Sequence, residues 1–160
     1  MIHIQVADLT QAEQGADTLR LLQTYAVHPM GGGKALPEYT QQNLIQTLAQ
    51  RSDNLVILAY EKEIAVGLCL CFEGFSSFAC KPLLNIHDVF VEEDFRGQGV
   101  SRLMMEKAEE IARQRGYCKL TLEVLTHNHA AKNSYRKQGY EPYQFDPEFG
   151  QAEFWHKNLD

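Results

Sequence analysis

Val89-Phe90-Val91-Glu92-Glu93-Asp94-Phe95-Arg96-Gly97-Gln98-Gly99-Val100-Ser101-Arg102 is the stretch whose reading decides the fold. An apolar β-type run that also includes Ile86 meets a short acidic turn, then a glycine loop, then a strongly periodic helix. Strand, glycine loop and helix N-terminus in that order make an anion cradle. The first N–H groups of a helix have no intrahelical acceptor, and the helix dipole favours negative charge there. Arg96 and Arg102 bracket the loop, and arginine suits phosphate. The same residues would also serve a plain strand–turn–helix joint. Spacing tests two common guests. A nucleotide P-loop ends in Gly-Lys-Ser/Thr, whereas Val100 and Ser101 follow Gly99. A dinucleotide fingerprint wants a third glycine where Arg102 stands.

Outward from this stretch the pattern is regular. The strand Leu84–Val91 is apolar apart from Asn85, His87 and Asp88, and a His-Asp pair inside such a strand is costly unless paired or used. The helix after Gly99 carries Val100, Leu103, Met104, Ala108, Ile111 and Ala112 on one stripe and stops at Arg115-Gly116. Cys118, Leu120, Leu122 and Val124 alternate with polar residues as a strand, so the two strands form a β-α-β unit and run parallel.

Before the unit, Met1–Ala7 alternates as a half-buried strand, and Asp8 or Thr10 is the expected cap of a helix through Ala12, Ala16, Leu19, Leu22 and Ala26. His28–Gly33 reads as a mobile glycine loop, either a linker or a lid over an acceptor site. A second helix is expected from Pro37, burying Tyr39, Leu44, Ile45 and Leu48. Leu55–Tyr60 and Ile64–Phe72 form a hairpin, and Glu73–Phe78 reads as loop. After the unit, a helix runs from Ala130 to Gln138 and stops at Gly139. Strands are expected around Tyr140, Tyr143 and Phe145 and over Ala152–Lys157, with a turn at Asp146–Gly150 between them. The order is β-α-α-β-β-β-α-β-α-β-β, an α/β (α+β mixed) fold with one central mixed sheet of about seven strands flanked by about four helices, in a single domain over residues 1–160.

Composition bounds the function. The 160 residues are 44% hydrophobic and 22% charged, enough for one cored domain. A net charge of −6 argues against nucleic acid and is compatible with a cationic small substrate. No run reaches membrane-spanning length and no signal peptide is evident. Cys69, Cys71, Cys80 and Cys118 lack metal spacing and read as reduced, mostly buried thiols of a cytoplasmic protein. His127 and His129 have no third ligand spaced to join them, so no metal is expected.

The chain resembles the GNAT superfamily of acetyl-coenzyme A-dependent N-acetyltransferases. The family signature, Arg or Gln, two residues, Gly, one residue, Gly or Ala, stands as Arg96-Gly97-Gln98-Gly99-Val100-Ser101, with serine at the last position. A second family motif stands as Asn128-His129-Ala130-Ala131-Lys132-Asn133-Ser134-Tyr135, followed by Gly139-Tyr140. His87-Asp88-Val89-Phe90-Val91 is also similar to a strand of the spermidine/spermine acetyltransferase branch, with His87 in place of a glutamate.

The resemblance implies acetyl-CoA as cosubstrate and direct attack of a primary amine on its thioester in a ternary complex. A small-molecule amine is favoured over a protein, and a homodimer is common in the family. The pyrophosphate is expected on Arg96, Gly97, Gln98, Gly99, Val100 and Ser101, with Arg102 nearby. The pantetheine arm is expected along Val89, Phe90 and Val91, as an added strand, and at Asn128. The same strand is expected to splay from the Lys119–Val124 strand, and a backbone N–H near Val89 to stabilise an oxyanion. An imidazole's ordinary pKa of ~6.5 makes His87 the first candidate base, with Asp88 and Glu123 as rivals. Tyr135 is the expected general acid for the thiolate, since a phenol keeps its proton at neutral pH. Tyr25, Glu73, Phe75 and Phe78 are offered as acceptor-pocket walls by loop position. The alternative from another class is a silent acyl-CoA-binding sensor.

Overall fold

The computed structural model describes residues 1–143, 146, 148, 150 and 152–159. They fall into two compact units, Met1–Leu125 and Thr126–Asp160.

The first unit is a five-stranded sheet with three helices. Its elements are β1 (Ile2–Val6), α1 (Ala12–Val27), α2 (Glu38–Gln50), β2 (Asn54–Glu61), β3 (Ile64–Ser76), β4 (Lys81–Val91), α3 (Val100–Gln114) and β5 (Leu120–Leu122). The strands lie in chain order; β1 to β4 pair antiparallel, and β5 joins β4 in parallel. The parallel step is the expected β-α-β unit, with α3 as its crossover. The second unit carries α4 (His129–Lys137).

Strand alternation divides the core between the two sheet faces. Leu68 and Leu70 share a buried cluster with Leu21, Leu22, Leu48, Val56, Leu58 and Phe90, which puts α1 and α2 on that face. Gly67, of opposite parity, meets α3 on the other: a Cβ there would stand 3.1 Å from Met104. Val100, Met104, Met105, Ala108 and Ala112 are buried along α3, close to the stripe that the periodicity predicts.

Several expectations are corrected. Among the described residues the sheet has five strands, where about seven were expected. No strand forms among the described residues of Tyr140–Tyr143 or Ala152–Lys157, where Tyr143, Phe154 and Trp155 are exposed and have no buried face to alternate against. Phe145, Pro147 and Phe149, on which the expected last strands and turn also rested, lie outside the described residues. Glu73–Ser76 is strand rather than loop, paired through Ser76↔Lys81, and the parallel partner spans only Leu120–Leu122. α1 has Gln11 at its N-cap without a side-chain bond, because Asp8 instead accepts from the N–H and hydroxyl of Thr10. Tyr39 is exposed on α2. Cys69 and Cys71 are buried free thiols, but Cys80 and Cys118 are exposed.

The glycine segment after α1 is a tied turn. Pro29–Gly31 forms one 3₁₀ turn, the His28 ring accepts from the Met30 N–H, and Lys34 N–H donates to Ala26 O at 3.1 Å. Gly31 sits so close to α1 that a Cβ there would lie 2.0 Å from Tyr25 O.

Candidate active site

The site is built on an irregularity in β4. A strand turns successive backbone N–H and C=O groups to alternate neighbours. Leu84 donates to Lys119 O at 3.0 Å, on the β5 side, whereas Glu92, just past the strand, donates to Val66 O at 2.9 Å, on the β3 side. Both numbers are even, so an unbroken strand would point both groups the same way. The register shows the extra residue: Cys71 faces Ile86 and Leu70 faces Asp88, which leaves His87 unmatched in a β-bulge.

The bulge has two consequences. It turns the backbone groups of Val89 and Val91 away from β3. On that side β5 pairs with β4 only from Leu84 to Ile86 and ends at Leu122, so the edge beyond is open. The orientation is marked by Arg96, whose Nε donates to Val91 O at 2.9 Å while its guanidinium lies 5.8 Å from the Phe90 ring centre. The bulge also sends two successive side chains, His87 and Asp88, into the same pocket, where Nδ1 and Oδ2 stand 2.9 Å apart. A carboxylate only accepts, so the proton of this bond is on Nδ1, and in the neutral ring that tautomer leaves the lone pair on Nε2.

The pocket holds about 260 Å³ on the α1/α2 face of the sheet. Leu22, Leu36, Leu44, Leu48, Leu70 and Phe72 give it apolar walls; Tyr25, His87 and Asp88 are its ionisable lining. Burial pushes the Tyr25 phenol pKa up, and the nearby Asp88 charge adds to the rise. Phe72 meets the His87 ring edge-on at 5.5 Å. Arg20 ties α1 to Glu92, just past β4, at 2.8 Å and to Ala65 O, at the start of β3, at 2.5 Å, which holds the pocket wall to the sheet.

Beyond β4 the loop has the form of a phosphate cradle. Gly97 and Gly99 have φ of +74° and +82°, and a Cβ on Gly97 would meet nothing within 4 Å. The left-handed backbone, rather than crowding by protein atoms, is therefore what asks for glycine. Gly99 is the N-cap of α3 and offers no side chain to the first N–H groups, and the Leu103 N–H is the one that closes on Gly99 O. Those of Val100, Ser101 and Arg102 precede it. The Val100 side chain is buried in the core, so only its backbone serves the cradle. Gln98 bonds back to Asp94 O, and Arg102 stands exposed at 3.8 Å from Glu106. This arrangement of open edge, left-handed loop and helix start fits an extended ligand with a phosphate end, as coenzyme A has.

The remaining candidates divide. Glu123 is exposed just after β5. Of the wall residues chosen by loop position, Tyr25 lines the pocket. Glu73, Phe75 and Phe78 do not: Glu73 accepts from the Tyr117 hydroxyl, and the two phenylalanines are exposed on and beyond the end of β3. In the second unit, Asn128 caps α4 by accepting from the Ala131 N–H at 3.2 Å. Tyr135 is half-buried on the same helix, its ring 6.0 Å from Tyr140. The His127 and His129 rings stack at 6.4 Å; among the described residues no group of three His, Cys, Asp or Glu side chains could hold a metal ion. No helix among them is long and apolar enough to cross a membrane. The apolar walls were not distinguished in the sequence, because leucines at helical spacing look the same facing a pocket as facing a core.

Comparison with known proteins identifies the family to which this open-edged sheet and glycine loop belong. Residues 18–140 match the model of the acetyltransferase (GNAT) family, and the chain belongs to that family. It is 28% identical over 92 residues to the uncharacterized N-acetyltransferase YhfO of Bacillus subtilis, a match covering 58% of this chain and 62% of YhfO. It is 36% identical over 80 residues to the streptothricin acetyltransferase of Streptomyces lavendulae, covering 48% of this chain and 42% of the relative. The fold is shared with an aminoglycoside acetyltransferase from an uncultured soil metagenomic sample, solved in complex with trehalose, at a TM-score of 0.80 and 15% identity over 99% of this chain and 97% of that one.

Proposed function

We propose that this chain transfers an acetyl group from acetyl-CoA to the primary amine of a small molecule, with both reactants bound at once. The bulge at His87 carries the reading, because one added residue gives β4 both an open backbone edge and an imidazole–carboxylate pair facing a pocket. The family match across residues 18–140 spans both units and supports their working as one domain.

In this reading Val89 and Val91 offer backbone groups to the pantetheine arm, and Asn128 assists. The loop Arg96–Ser101 and the start of α3 hold the pyrophosphate, with Arg102 beside them. The cosubstrate supplies a thioester carbonyl open to attack. His87 takes the amine's proton at Nε2, and Asp88 orients the ring through Nδ1 and attracts the incoming ammonium. Tyr135 returns a proton to the leaving sulfur. Holding the amine beside the open edge replaces a chance encounter by a positioned one. The buried free thiols of Cys69 and Cys71 support a reducing compartment such as the cytoplasm.

The test is a thermal-shift comparison of acetyl-CoA, CoA and NAD, followed by thiol release from acetyl-CoA across an amine panel. Stabilisation of about 2.7 kcal/mol is expected at ~100 times the dissociation constant. A shift with NAD and none with acetyl-CoA overturns the proposal. A shift with acetyl-CoA but no thiol release with any amine makes the chain a sensor.

A further inference from the structure

Resting on the transferase reading, we infer that the acceptor is a small monoamine with an uncharged apolar body, an alkyl or aralkyl amine, and not a polycation. A pocket of about 260 Å³ suits a small acceptor. Asp88 is the one acidic side chain among the lining residues, and it lies beside His87, where the reacting nitrogen must arrive. One carboxylate matches one ammonium. A second ammonium carried into the pocket would lie along Leu22, Leu36, Leu44 and Leu48, which give it no counter-charge. Tyr25 does not compensate: its phenol, whose pKa burial raises, is neutral at neutral pH. An acceptor such as an aminoglycoside, bearing several ammonium groups, meets the wrong wall here, whatever similar folds take. The chain's overall charge of −6 does not alter this, because its other acids do not line the pocket.

The experiment uses a matched pair, n-hexylamine and 1,5-pentanediamine, equal in non-hydrogen atoms and differing only in a terminal methyl against a second ammonium. Two readouts are taken on the full chain: kcat/KM by thiol release with acetyl-CoA, and thermal stabilisation by each amine alone. We expect hexylamine to be preferred about 100-fold in kcat/KM, as burial of an unpaired charge implies, and to be the one that stabilises. Acetylation of the diamine equally well or better overturns the inference and leaves the transferase reading intact. If neither amine is acetylated, binding decides: stabilisation by hexylamine alone upholds the apolar pocket while the transferase reading fails, and equal shifts or none overturn it. Leu36→Asp adds a carboxylate to the wall from a half-buried position before α2. In that variant, checked as folded by circular dichroism, the preference should move at least about tenfold toward the diamine; an unmoved preference is evidence against the inference.

Discussion

The imidazole of His87 and the carboxylate of Asp88 belong to successive residues of one strand, yet Nδ1 and Oδ2 are 2.9 Å apart. Neighbours in a regular strand point to opposite faces, so this bond exists because of the bulge. In the proposed reaction the pair has separable roles. His87→Ala should lower kcat roughly 10²-fold or more, the usual scale for a lost general base. Asp88→Asn should chiefly raise KM for the amine, since the cation loses its counter-charge. Initial rates against amine concentration check both, and an unchanged kcat in His87→Ala would remove His87 as the base.

At the cradle, Gly99 takes φ of +82° at the N-cap of α3. Gly99→Ala should cost about 1–2 kcal/mol in left-handed strain and weaken CoA binding, because the loop can relieve that strain only by moving. Urea denaturation reads the first effect and titration calorimetry with CoA the second. Full stability together with full affinity would mean that the conformation is not required.

Gly31 lies against the backbone of α1, where a methyl group would stand 2.0 Å from Tyr25 O. Gly31→Ala must push the turn off the helix and reshape one pocket wall. KM for the amine should rise at least about tenfold, the effect of a contact energy of ~1.4 kcal/mol, with CoA affinity unaltered. Equal damage to both ligands would indicate general unfolding instead of a local wall effect.

Tyr135→Phe removes one hydroxyl and little volume. Turnover is expected to fall more than acetyl-CoA binding, as suits a proton donor to the departing sulfur. If kcat survives the change, another group supplies that proton.

Alkaline stability follows from Tyr25 and Tyr60. Burial raises both phenol pKa values, with Asp88 adding to the rise at Tyr25 and the Asp17 hydrogen bond at Tyr60. An unfolded phenol loses its proton near pH ~10, while the folded one keeps it to higher pH. Over that interval the native state binds more protons than the unfolded chain, so stability falls as pH rises. Tyr60→Phe should flatten this fall in denaturation experiments above about pH 10; an identical slope would show that Tyr60 titrates normally.

Much of the fold was legible because its elements are amphipathic. The α3 stripe, the β2–β3 pair and the β-α-β crossover each follow from periodicity, and the cradle from glycine spacing. What escaped had physical causes. Phe154 and Trp155 alternate as a strand would, but alternation alone cannot make a strand, and among the described residues no strand pairs with them. Glu73–Ser76 lacks the apolar rhythm because much of that extension of the hairpin is exposed, so it read as loop. The position of the bulge is visible afterwards as the place where two polar residues, His87 and Asp88, interrupt an apolar run. Its effect on parity was not, since the parity of Val89 and Val91 depends on hydrogen bonds to strands far away in sequence.

That parity makes β4 behave like a reading frame. A substitution between Ile86 and Val91 changes one side chain and leaves every other group facing where it did. Losing or gaining one residue there would swap all that follows, sending Val89 and Val91 back toward β3 and parting His87 from Asp88. What this strand must preserve is its count of residues as much as their identities.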